Sequence, residues 1–126
     1  MTIRDLLNKI NKEKPNRPNS FSEADLIAFA NELEAEVADQ LGMSEAPQYM
    51  DNHTDLDIDL LVPAPYDRLY VSYVKAQIDY ANEEYDSYAN NQAQHVQDFQ
   101  DFVDWVVRTG QSKKPFPHRF RNITRW

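Results

Sequence analysis

Residues 66–108 read YDRLYVSYVKAQIDYANEEYDSYANNQAQHVQDFQDFVDWVVR, and the division of this stretch decides the fold. Its first part carries Leu69, Val74, Ile78 and Ala81 at helical spacing. Its second part carries Val96, Phe99, Phe102, Val103, Val106 and Val107, a firm apolar face of a further helix. A single helix over the whole stretch would be about 65 Å long, too long for a compact domain of this size. Asn90–Asn91 therefore predicts a break, with Asn91 and Gln94 offering a cap for the helix that follows, and Gly110 stands just past its end. The expectation is an antiparallel helical hairpin in a mainly all-α small bundle.

Outward from the hairpin, the upstream sequence is also helical. Leu26, Ala30, Leu33, Val37 and Leu41 form one stripe, widened by Ile27 and Phe29, while Glu32, Glu36 and Asp39 mark a solvated face. Ser20 and Ser22 are candidate N-caps, with Glu23 and Asp25 three residues on, and Gly42 is placed for a left-handed C-cap. Ile3, Leu6, Leu7 and Ile10 predict a short helix over 3–12, which must dock to be stable. A link with Pro15 and Pro18 stops that helix. Between Asp55 and Val62, acid and aliphatic residues alternate, which predicts a short extended or β segment around 54–62. A calcium loop starting at Asp55 would want Gly at its sixth position and Glu at its twelfth; Leu60 and Tyr66 stand there. The domain reading is a helical body over 1–111 and an extended arm over 112–126.

Charge separates these two parts. The 126 residues carry a formal −8. Residues 112–126 hold Lys113, Lys114, Arg119, Arg121 and Arg125 with no acid; the remainder holds 8 basic and 21 acidic residues, a formal −13. The arm interleaves these cations with Phe116, Phe120 and Trp126, side chains suited to anchoring in a pocket while arginines grip carboxylates. An acidic protein surface suits such an arm better than nucleic acid does, because the acidic body would repel a polyanion. The arm is thus the leading partner-binding candidate. A second candidate is a tyrosine stripe, Tyr66, Tyr70, Tyr73, Tyr80 and Tyr88, which either packs into a wet-edged core or forms a subunit interface.

The remaining chemistry is sparse. With no cysteine there is no disulfide framework, thiolate zinc site or cysteine nucleophile. His53, His95 and His118 have no second ligand at a recognised metal spacing and read as ordinary polar residues. No phosphate-binding Gly-rich loop or GxSxG element occurs. No catalytic residue, metal or cofactor is expected, and an enzyme is not. The segment MTIRDLLNKINKEKPN lacks an apolar core, and no apolar run suits a membrane span, so a soluble chain of a cytoplasm-like compartment is expected.

The segment LLVPAPYDRLYVSYVKAQIDYANEEYDSYANNQA, Leu60 to Ala93, resembles the signature segment of small head–tail connector (adaptor) proteins of tailed bacteriophages and prophages. The beginning is similar too: a short helix, then KPNRPNSFSEADLIAFANELEAEV, although the double-proline link departs from the shorter single-proline link of that family. The resemblance covers about two thirds of the chain. It implies a virion protein of the neck, made in the host bacterial cytoplasm, that forms a ring below the portal protein, commonly of twelve subunits. Its partners would be the portal, neighbouring copies of itself and a stopper or tail-completion protein. DNA would pass through the channel without sequence-specific binding. A terminal segment clasping the portal or an adjacent subunit is also implied. An acidic regulator that mimics DNA is the alternative reading of the charge.

Overall fold

The computed structural model describes residues 1–14 and 21–110, and in these it forms a bundle of five helices. The helix α1 spans Ile3–Glu13 and buries Ile3, Leu6, Leu7 and Ile10. It begins with a reciprocal capping box in which the Asp5 amide donates to Thr2 Oγ1 and the Thr2 amide donates to Asp5 Oδ2, both at 3.1 Å. The helix α2 spans Glu23–Leu41 and starts with the same device between Ser22 and Asp25. It ends in a Schellman motif: Gly42, at φ 74°, donates to the Asp39 carbonyl and Met43 to that of Ala38.

The hairpin is present, but its bend lies earlier than the asparagines. The helix α4 spans Arg68–Ala81 and α5 spans Tyr85–Thr109, and they pack along one another as the principal helix pair. The turn is formed by Asn82–Glu84, and Asn90 and Asn91 lie within α5. This turn is again a Schellman motif, with Glu83 donating to Tyr80 and Glu84 to Asp79. Glu83 takes the left-handed position at φ 61°, where glycine is the usual residue. Replacing Glu83 with Gly removes this conformational penalty, offset by the greater freedom of glycine in the unfolded chain. Glu83→Gly is expected to stabilise the fold by about 1 kcal/mol, read from the midpoint of urea unfolding at unchanged helicity.

Residues 54–62 do not form the expected extended segment. Their first part belongs to α3, the four-residue helix His53–Leu56 capped by Asn52, and Asp59 forms an isolated antiparallel bridge to Thr2. No strand occurs among the described residues. The alternation fails as a period because Leu56 and Leu60 are buried while Ile58 between them is exposed. Val96 likewise lies outside the core, and His95 takes the inward position beside it.

The core joins α1, α2, α4 and α5 through fully buried Ile3, Ile10, Leu33, Val37, Leu69 and Phe102. The α2 face contacts α4 and α5, while α1 lies across α4, α2 and α3. An Arg4–Asp57 ion pair at 3.0 Å adds a surface tie between α1 and the loop after α3.

Candidate interaction surfaces

The five tyrosines of the stripe do not share one face. Tyr70 is fully buried; its hydroxyl donates to Glu34 and accepts from the Val62 amide at 3.0 Å. Half-buried Tyr73 donates to Glu32 at 3.1 Å and rests its ring against His95, with centroids 5.1 Å apart. Burial, reinforced by the Glu32 carboxylate, pushes the Tyr73 phenol up to about 12. Tyr66 lies against Trp105 and accepts from Arg108 at 3.3 Å, tying the end of α5 to the entry of α4. Tyr66, Tyr70 and Tyr73 therefore serve the internal packing.

Tyr80 and Tyr88 instead meet at the tip of the hairpin. Their centroids are 5.2 Å apart, and Tyr85, which the stripe omitted, lies 6.3 Å from Tyr80. Tyr80 is 59% exposed and Tyr85 is 58% exposed. Exposed Glu83, Glu84 and Asp86 surround them in sequence. Placing the turn at 82–84 is what brings these three rings together. Reading a break at Asn90–Asn91 hides the cluster.

Three buried acids fix the elements that carry these surfaces. Glu34 accepts from the hydroxyls of Tyr49 and Tyr70 and from the Leu61 amide, joining α2 to α4 and to both ends of the intervening loop. Burial pushes its carboxyl above the ordinary range, against the opposing pull of those three donors. Asp79 accepts from Lys14 at 2.7 Å, Ser87 at 2.8 Å and Asn91 at 2.6 Å, joining α4 to the end of α1 and to α5. Burial works upward on Asp79 too, but the three donors and the Lys14 charge outweigh it and hold the carboxyl below its ordinary value. Asp98 on α5 accepts from Ser72 at 3.0 Å and Gln94 at 2.8 Å, and pairs with Arg68 at 3.2 Å.

His95 completes the seam between α4 and α5. Its Nδ1 donates to the Leu69 carbonyl at 3.1 Å, which assigns the proton to that nitrogen. Its ring lies between Tyr73 and Phe99, and burial lowers its proton affinity. The expected ordinary polar residue is thus a packed core residue.

Sequence reading missed a second surface, the loop from Met43 to Leu61. Asn31 holds it from α2, donating to the Tyr49 carbonyl at 3.0 Å and accepting from the Tyr49 amide at 2.9 Å. The Met50 amide donates to Asp55 at 2.7 Å. This hydrogen-bonded loop encloses an open groove of about 510 Å³, lined by Met43, Pro47, Tyr49, Ile58 and Leu61 among others. Ile58 is 42% exposed, and neighbouring Met50 is 65% exposed. Exposed Glu45 and Asp59 also line the groove, and exposed Asp51 and Asp57 lie elsewhere in the same loop, Asp57 paired with Arg4. Nothing in the local spacing signals the groove, because its walls are brought together by the distant Asn31 and Glu34.

The proposed arm residues, Lys113, Lys114, Phe116, Arg119, Phe120, Arg121, Arg125 and Trp126, lie outside the described residues, as does the proline link. The described residues contain all 21 acids of the chain against 7 basic residues. Of these, Arg4, Lys14, Arg68 and Lys75 are engaged in ion pairs. Among the described residues, no group of three or more acids or histidines is placed to hold a metal ion, and no helix is long and apolar enough to cross a membrane. No family model, curated protein or solved structure matches this chain.

Proposed function

We propose that this chain is a head–tail connector of a tailed bacteriophage or prophage, a virion protein that joins larger parts. The observation that carries this reading is the exposed tyrosine tip, formed within Leu60–Ala93, the segment that resembles the connectors. Rings with one wet edge suit a contact that is apolar but not dry. In a ring, different faces of neighbouring copies must meet, and the tip supplies one of them. The acidic body supports passage of DNA without adhesion, since like charges repel along the channel. The portal lies on one side of the ring and a stopper or tail-completion protein on the other. The basic-aromatic arm secures the joint to the portal or an adjacent copy.

Deletion of residues 112–126 is expected to leave the helical signal near that of the full chain while abolishing attachment to portal-bearing heads. The check is electron microscopy of particles assembled with the truncated chain, alongside their infectious titre. Normal completion of infectious particles by the truncated chain would overturn the arm's role. Recovery of a nuclease or repressor, instead of portal and tail proteins, from infected cells would favour the acidic-mimic reading.

A further inference from the structure

We propose that, in the free protein, residues 112–126 dock in the Met43–Leu61 groove of their own chain. This inference stands whether or not the protein is a connector, because it rests on the groove, the charge and the connectivity. The groove is lined mainly by apolar residues of a hydrogen-bonded loop, Met43 and Ile58 among them, with exposed Met50 next in sequence to its wall residue Tyr49 and with Glu45 and Asp59 also in the lining. Its complementary ligand carries large apolar side chains separated by cations. Residues 112–126 have that composition: Phe116, Phe120 and Trp126 interleaved with five cations and no acid. Methionine sulfur makes favourable contacts with aromatic rings, and arginines fork onto carboxylates.

Connectivity places the segment within reach. Arg108 and Trp105 both contact Tyr66, so α5 ends beside the entry to α4. Leu61, in the groove wall, is connected to Tyr66 by a span of at most about 18 Å of chain. A chain of the length of 111–126 can span at most roughly 55 Å, so anchors along the segment can reach the groove without crossing the length of α5. Tethering favours the chain's own groove over a second copy, because a covalent link long enough to span the distance makes the contact intramolecular, at an effective concentration in the millimolar range.

The chain has no cysteine, so Thr124→Cys accepts a single nitroxide label. In methyl NMR spectra of the full-length labelled protein, Met50 and Ile58 are expected to broaden selectively, with Ile78 near the far end of α4 as the control. The broadening should be unchanged on dilution and reversed when the nitroxide is reduced. Replacing Lys113, Lys114, Arg119, Arg121 and Arg125 together by Glu should abolish it, as should Ile58→Glu. The Ile10 and Ile78 methyl positions check that each variant retains the fold. Absence of selective broadening in the folded chain overturns the proposal. Broadening that falls with dilution also overturns it, by assigning the contact to a second copy; persistence in the charge-reversed chain overturns it as well.

Discussion

Glu34→Ala is expected to lower unfolding stability by about 3–5 kcal/mol at neutral pH, the larger of two effects at the buried acids. Truncation leaves the hydroxyls of Tyr49 and Tyr70 and the Leu61 amide without their shared acceptor. Relief from burying a carboxylate offsets part of this loss, which is why the expected total is below the sum of three stranded donors. Glu34→Gln retains an oxygen acceptor and most of the shape, so its expected cost is smaller, about 1–2 kcal/mol. Urea unfolding followed by the helical circular-dichroism signal provides the measurement. A Glu34→Ala protein within about 0.5 kcal/mol of wild type would contradict the proposed importance of this network.

Asp79→Ala is expected to cost about 3 kcal/mol at neutral pH and progressively less in acid. At neutral pH, removal takes the acceptor from Ser87 and Asn91 and the counter-charge from Lys14, which keeps only its 3.3 Å hydrogen bond to Ser87. Asp79 is held below its ordinary value of 3.8, with its donors outweighing burial. Its contribution is therefore fully present above that unfolded value and is lost as pH falls through the lower folded value. The gap between wild type and Asp79→Ala should narrow progressively as pH falls below 3.8, measured in parallel urea titrations. Glu34 has the opposite sign. Its raised folded value gives a contribution present below 4.5 and lost as pH rises through the folded value. Acid sensitivity should consequently track Asp79 and not Glu34.

Local signals located most of the helices. The Ser22–Asp25 box and Gly42 set the ends of α2, and the Ile3, Leu6, Leu7, Ile10 stripe located α1, because these cues act over one or two turns. The hairpin was legible from apolar spacing, but its bend was not. Glu83 adopts a glycine-like conformation without a glycine, while Asn91, polar enough to suggest a turn, is an interior donor to Asp79. The extended reading of 54–62 failed because tertiary contacts bury Leu56 and Leu60 without giving Ile58 the same environment. At the candidate surfaces, tyrosine enrichment marked the α4–α5 hairpin but did not separate interior Tyr70 from exposed Tyr80. That separation depends on Glu34, which looks like an ordinary helix-surface acid until Tyr49, Leu61 and Tyr70 converge on it.

Glu34, Asp79 and Asp98 each meet donors from different stretches of chain, and this makes their joints keyed instead of slippery. Sliding one helix by a single turn would shift it about 5.4 Å, far beyond hydrogen-bond reach, and strand charge in an oily seam. Under a sideways load, the molecule should stay stiff and then yield abruptly, with little gradual creep.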